Sequence, residues 1–235
     1  MKKFNLYNSK IFKFFDYCFR LVLINLLILV PSFLLFYIVM IFFKDSIKGI
    51  WEYLTLLPAI LYMYPAICAG LDLIRKFEFK ECNTVFKEFF KSLKRIYLKA
   101  LLETFIILIF VVLFFFSIRH FYLHLGDGVI NGFGLVLSMA FAIMLLVIIV
   151  HLPLVMNYME GCFIIDDFKL AGMMAFQDLM ITLGIVIFII ADVAIMFVSP
   201  TIMVIGGFSL PMYLLIKLTF KKYYIVYIRT HKDKE

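Results

Sequence analysis

Six apolar stretches, at about 19–43, 52–74, 99–118, 133–156, 180–198 and 201–218, occupy most of this 235-residue chain. Each is long enough to cross a bilayer, which takes roughly 20 apolar residues in a helix. Composition agrees, with 65% of residues hydrophobic and 17% charged, against about half and a quarter in soluble domains. Too few polar residues remain to cover a water-facing surface. The expected fold is an all-α integral membrane protein, a single polytopic domain over 1–235 with about six transmembrane helices. The last two spans, separated by Ser199 and Pro200, are the least regular. Gly206, Gly207 and Pro211 interrupt the sixth, which leaves a broken or re-entrant helix as an alternative.

The basic residues set the orientation. The N-terminal arm (Lys2, Lys3, Lys10, Lys13, Arg20), the loop after the second span (Arg75, Lys76, Lys80, Lys87, Lys91, Lys94, Arg95, Lys99) and the tail (Lys217, Lys221, Lys222, Arg229, Lys232, Lys234) hold all the Lys and Arg except Lys44, Lys48, Arg119 and Lys169. The positive-inside rule then places both termini in the cytoplasm. The net charge of +7 follows from these anchors, so no nucleic-acid partner is expected. The four cysteines, Cys18, Cys68, Cys82 and Cys162, form no CxxC pair and are expected as reduced thiols. The first apolar run is too long for a cleaved signal peptide and reads as a retained span.

One or two cytoplasmic amphipathic surface helices are expected, at about 83–98 and 166–179. In the first, Val85, Phe86, Phe89, Phe90, Leu93, Ile96 and Tyr97 form an apolar stripe at helical spacing. Lys87, Glu88, Lys91, Lys94 and Arg95 lie on the other side. Such a helix is expected to lie flat in anionic headgroups. Lys87, Lys91, Lys94 and Arg95 are therefore candidate lipid or partner contacts. The second starts with Asp166 and Asp167, which suit the positive end of a helix, and carries Ala171, Gly172 and Ala175 on one face. The order span, surface helix, span occurs over 52–118 and again over 133–198, with Pro65 and Pro153 in similar places, a weak parallel repeat.

Polar groups inside a bilayer are costly unless they face protein or water. Four stand out: Asn25, Glu103, His151 and Asp192. By helical rise the first three sit roughly 6–9 Å inside the cytoplasmic boundary, with Asp72 slightly shallower and Asp192 about 9 Å deeper. One reading is a cytoplasm-open vestibule with Asp192 as a proton or cation site beyond it. The other is hydrogen bonding that specifies helix packing, with shallow groups reaching the interface. No HExxH, GxSxG or P-loop pattern occurs. Gly126-Asp127-Gly128 reads as an outside turn, and the nearby His120 and His124 lack a third metal ligand. No cofactor or metal is expected, and no nucleophile with a base supports an enzyme.

Several local patterns resemble the YesL-like family of bacterial membrane proteins. They are Asn25 in an apolar first span, Tyr64-Pro65-Ala66, and Phe86, Phe89, Phe90 and Lys91 in a basic loop. Lys169-Leu170-Ala171, Ala175-Phe176, Thr182-Leu183 and Leu210-Pro211 follow in order. Trp51 alone stands where the family start is Trp-rich. The resemblance implies a multi-span protein of a Gram-positive cell membrane, often associated with carbohydrate uptake, and carries over no activity or functional residues. The first expectation is therefore an accessory or regulatory component beside a sugar uptake system or sensor. The alternative is a small-solute or ion-coupled transporter or channel using Asp192.

Overall fold

The computed structural model describes residues 10–43, 57–78, 84–158, 163–177, 179–198 and 207–219. Among them the chain is helical and has no strand. The helices are α1 Lys10–Phe43, α2 Leu57–Glu78, α3 Val85–Leu123, α4 Val129–Tyr158, α5 Ile164–Gln177 and α6 Leu179–Val198, followed by α7 Ser209–Thr219. The protein is an all-α membrane protein. Four helices are long and apolar enough to span: Phe14–Val39 within α1, then α2, α3 and α4. A fifth span is present if α5 and Leu179–Asp192 are counted together. The sixth expected span is described only as the short helix α7, since residues 201–206 fall outside the described residues, as do Cys82 and Cys162.

The first amphipathic segment departs from expectation. It does not lie flat beside the next span but continues into it, because α3 runs unbroken for 39 residues. Nothing between Val85 and Leu123 interrupts a helix, since the segment contains neither Gly nor Pro. Val85, Phe89, Ser92, Ile96 and Ala100 are buried, so the protein itself covers one side of the stripe, chiefly α2. Phe86 and Phe90 stay 57% and 52% exposed. The second amphipathic segment is a separate helix, α5, set at 99° to the start of α6. The two halves thus differ where the expected repeat needs them alike.

Helix α2 forms the centre. It packs between α1 and α3 and also touches α4, while α5 lies against α4. Gly70 puts backbone, not bulk, at the α1–α2 crossing, as close helix packing in lipid favours. A Cβ on Gly70 would meet Ile24 Cγ2 at 3.1 Å, Ile28 Cδ1 at 3.2 Å and Met212 Sδ at 3.4 Å. At the far end, α3 and α4 form a hairpin through a 3-10 turn at Leu125–Asp127 and Gly128, whose φ of +149° suits glycine. There Ser117 and Ser138 hydroxyls are 2.9 Å apart. Cys18 and Cys68 are free thiols.

Proline costs α1 a hydrogen bond that α2 restores. Pro31 lies inside α1 and has no N–H for the Leu27 carbonyl four residues back. The Tyr62 hydroxyl donates to that carbonyl at 3.1 Å.

Gly70→Leu is expected to force α1 and α2 apart. Overpacking of this kind costs about 1–3 kcal/mol. The thermal unfolding midpoint of purified protein in detergent should fall measurably below that of Gly70→Ala; equal midpoints would show that the crossing tolerates bulk.

Candidate functional site

The polar groups gather where the basic residues are. Opposite helix directions bring the start of α1, the end of α2, the start of α3 and the end of α4 to one side, here the basic end. At its centre is Asp72, 0% exposed. Arg75 and Lys76 follow it at helical spacings of three and four, which turns them toward it. Arg75 Nη2 donates to Asp72 Oδ1 at 2.6 Å, and Lys76 Nζ lies 2.8 Å from Oδ2. From α3, Ser92 Oγ and Arg95 Nη2 donate to Oδ2 at 2.6 and 3.1 Å. Arg75 Nη1 also reaches the Asn157 carbonyl on α4 at 3.1 Å. Asn157 Nδ2 in turn donates to the Cys68 and Pro153 carbonyls, each at 2.9 Å. One buried carboxylate thereby ties α2, α3 and α4. Beside it Tyr17 of α1 donates to Glu78 at 3.0 Å, and the Arg20 guanidinium stacks 4.8 Å over the Phe77 ring.

A second cluster lies deeper on α3. Glu103 is 0% exposed and accepts from the Tyr64 hydroxyl at 2.9 Å. The Asp167 carboxyl of α5, also 0% exposed, lies within hydrogen-bonding reach of Glu103 and 2.5 Å from Lys99 Nζ. The cluster pins the first turn of α5 to α3. Two carboxyls thus face one ammonium at this point.

The other expected polar residues each serve an irregular point in the backbone. Asn25 Oδ1 accepts from the Phe208 N–H at 2.9 Å, just before the first turn of α7, where backbone N–H groups lack intrahelical partners. His151 Nε2 lies 2.8 Å from Thr182 Oγ1, and Thr182 donates to the Ala175 carbonyl at 3.4 Å. That pair bridges the α5–α6 bend, where the last carbonyls of α5 lack helical partners. The equal depths of Asn25, Glu103 and His151 thus resolve into contacts with different elements, Glu103 bonding to neither of the others.

Asp192 stands apart. It is 8% exposed and has no hydrogen bond or ion pair among the described residues. It lines a cavity of about 310 Å³ together with Leu71, Ile185, Ile189, Pro211 and Leu215. Of the basic face, Lys87, Lys91 and Lys94 point outward, whereas Arg95, 40% exposed at its side chain, turns back to Asp72. Among the described residues no group of three His, Cys, Asp or Glu is placed to hold a metal. The sequence reading treated Asp72 as a shallow group and Asp167 as a dipole partner. Only the spacing of Arg75 and Lys76 from Asp72 signalled the hub, since Ser92, Arg95 and Lys99 reach their partners through the fold.

No family model, no curated protein and no solved structure matches the chain.

Asp72→Ala would leave the Arg75, Lys76 and Arg95 charges without their shared anion. Removing one partner of a buried ion pair costs about 3–5 kcal/mol. Asp72→Ala is therefore expected to lower the yield of folded protein in membranes and its detergent unfolding midpoint. Glu88→Ala, at the half-buried edge of the cluster, should change both far less. Similar values for the two would contradict the hub.

Proposed function

We propose that the protein is an accessory or regulatory component of a bacterial cell membrane, with both termini in the cytoplasm, that docks on a membrane protein of carbohydrate uptake. The observation that carries this reading is the outer face of α3. Its inner side is filled by the protein's own packing and held by Ser92 and Arg95 on Asp72. Its outer side leaves Lys87, Lys91, Lys94, Phe86 and Phe90 exposed. A charged and aromatic surface on a firmly held helix suits a partner with acidic groups around an apolar patch. The order of motifs resembling YesL-like proteins supports the link to carbohydrate uptake, and the skew of Lys and Arg supports the orientation.

A second reading, a small-solute or ion-coupled transporter, is favoured by Asp192 at its cavity beside the start of α7. Carboxylates and interrupted helices commonly mark such sites.

Crosslinking in native membranes, then mild-detergent purification and mass spectrometry, tests the first reading. A stoichiometric uptake permease or sensor should co-purify. Lys87→Glu with Lys91→Glu and Lys94→Glu should cut its recovery by about tenfold, since like charges are then set against an acidic partner. Unchanged recovery, or no protein partner at all, rejects the docking reading and leaves the face to anionic lipid.

A further inference from the structure

We propose that the cavity beneath Asp192 is a binding site for a small organic ammonium ion with an apolar body. Two independent observations converge on it. The first is the space, an opening of about 310 Å³ between α2, α4, α6 and the start of α7. That is near the lower end of ligand pockets, roughly 300–1,000 Å³, and far larger than a bare ion. The second is Asp192, more than nine-tenths buried, on its wall and without a partner among the described residues.

The chemistry of the wall selects the ligand. Ile185, Ile189, Pro211 and Leu215 offer hydrocarbon. Among the described residues Asp192 and Tyr64 are the ionisable groups lining the space, and the Tyr64 hydroxyl is engaged by Glu103. A polar solute with several hydroxyls would lose its water and find one partner. An anion would be repelled. An ammonium with a compact hydrocarbon body matches both features: the charge meets the carboxylate and the body fills the rest.

Asp192 lies roughly 20 Å along α6 from Leu179 but only roughly 9 Å from Val198, so an amine-bearing lipid headgroup shares the chemistry of a free amine here. The occupant proposed is a free amine, and amine-bearing lipid is left out of the test so that a headgroup cannot stand in for it. The site shares Asp192 with the transport reading but stands without it, because binding and translocation are measured separately.

The test uses the full chain in nanodiscs of phosphatidylcholine and phosphatidylglycerol, which carry no protonatable amine. The probes are 1-aminoadamantane and 1-adamantanol, with nearly the same body and differing in charge at pH 7. Equilibrium dialysis with labelled probes should show saturable binding of the amine at one per chain. The alcohol, which keeps a donor but lacks the positive charge, should bind about tenfold more weakly or worse. Asp192→Asn should reduce the preference to near unity. Equal binding of amine and alcohol to the unaltered chain, absence of saturable binding, or full retention of the preference in Asp192→Asn would each overturn the proposal. The comparison of probes on the unaltered chain needs no variant to fold.

Discussion

A carboxylate with no exposed surface, Asp72, sets the frame for the rest of the molecule. Alone in that position it would be among the most unfavourable groups in the chain. Four donors from two helices make it tolerable, and the same donors fix how those helices meet. Arg75 extends the link to the end of α4 through the Asn157 carbonyl. The charges on α2 and α3 are therefore unable to move independently. This explains why the amphipathic turns of α3 stand on the bundle instead of spreading into headgroups: Ser92 and Arg95 lie among them, and both are drawn to Asp72.

Away from that hub, polar side chains occur where helices stop, bend or lose a hydrogen bond. Lipid offers no donors or acceptors, so each such point needs a protein group. Tyr62 serves the carbonyl freed by Pro31, Asn25 serves the start of α7, and Thr182 with His151 serves the α5–α6 bend. Glu103 and Asp167 hold the start of α5. Each of these points has its own protein partner on a different element.

That the first four apolar stretches and the two amphipathic segments are helical, and that a turn precedes α4, was legible in the sequence, because each rests on local periodicity or on a glycine. The orientation of α3's amphipathic turns was not. A stripe of Phe89 and Ile96 looks the same whether lipid or α2 covers it, and the choice depends on Ser92 and Arg95 finding Asp72 some twenty residues earlier. Asn25, His151 and Asp192 were visible as polar exceptions, yet their partners lie 183 and 31 residues away for the first two. Asp167 illustrates the same limit. Its place in the first turn of α5 was readable, but its burial against Lys99 depends on two helices meeting.

The contrast between the two buried aspartates says most about function. Asp72 is surrounded by cations and a hydroxyl at the basic end, where burial of charge builds a rigid joint. Asp192 sits among aliphatic side chains, and the described residues give it no such company. If its role were to specify packing, a neighbour's donor would be expected to reach it, as donors reach Asn25 and Glu103. Instead the surrounding helices leave space. Packing in protein interiors is dense, so a void beside a carboxylate costs dispersion contacts as well as solvation. An external cation with an apolar body offsets both losses, which a packing role for Asp192 does not.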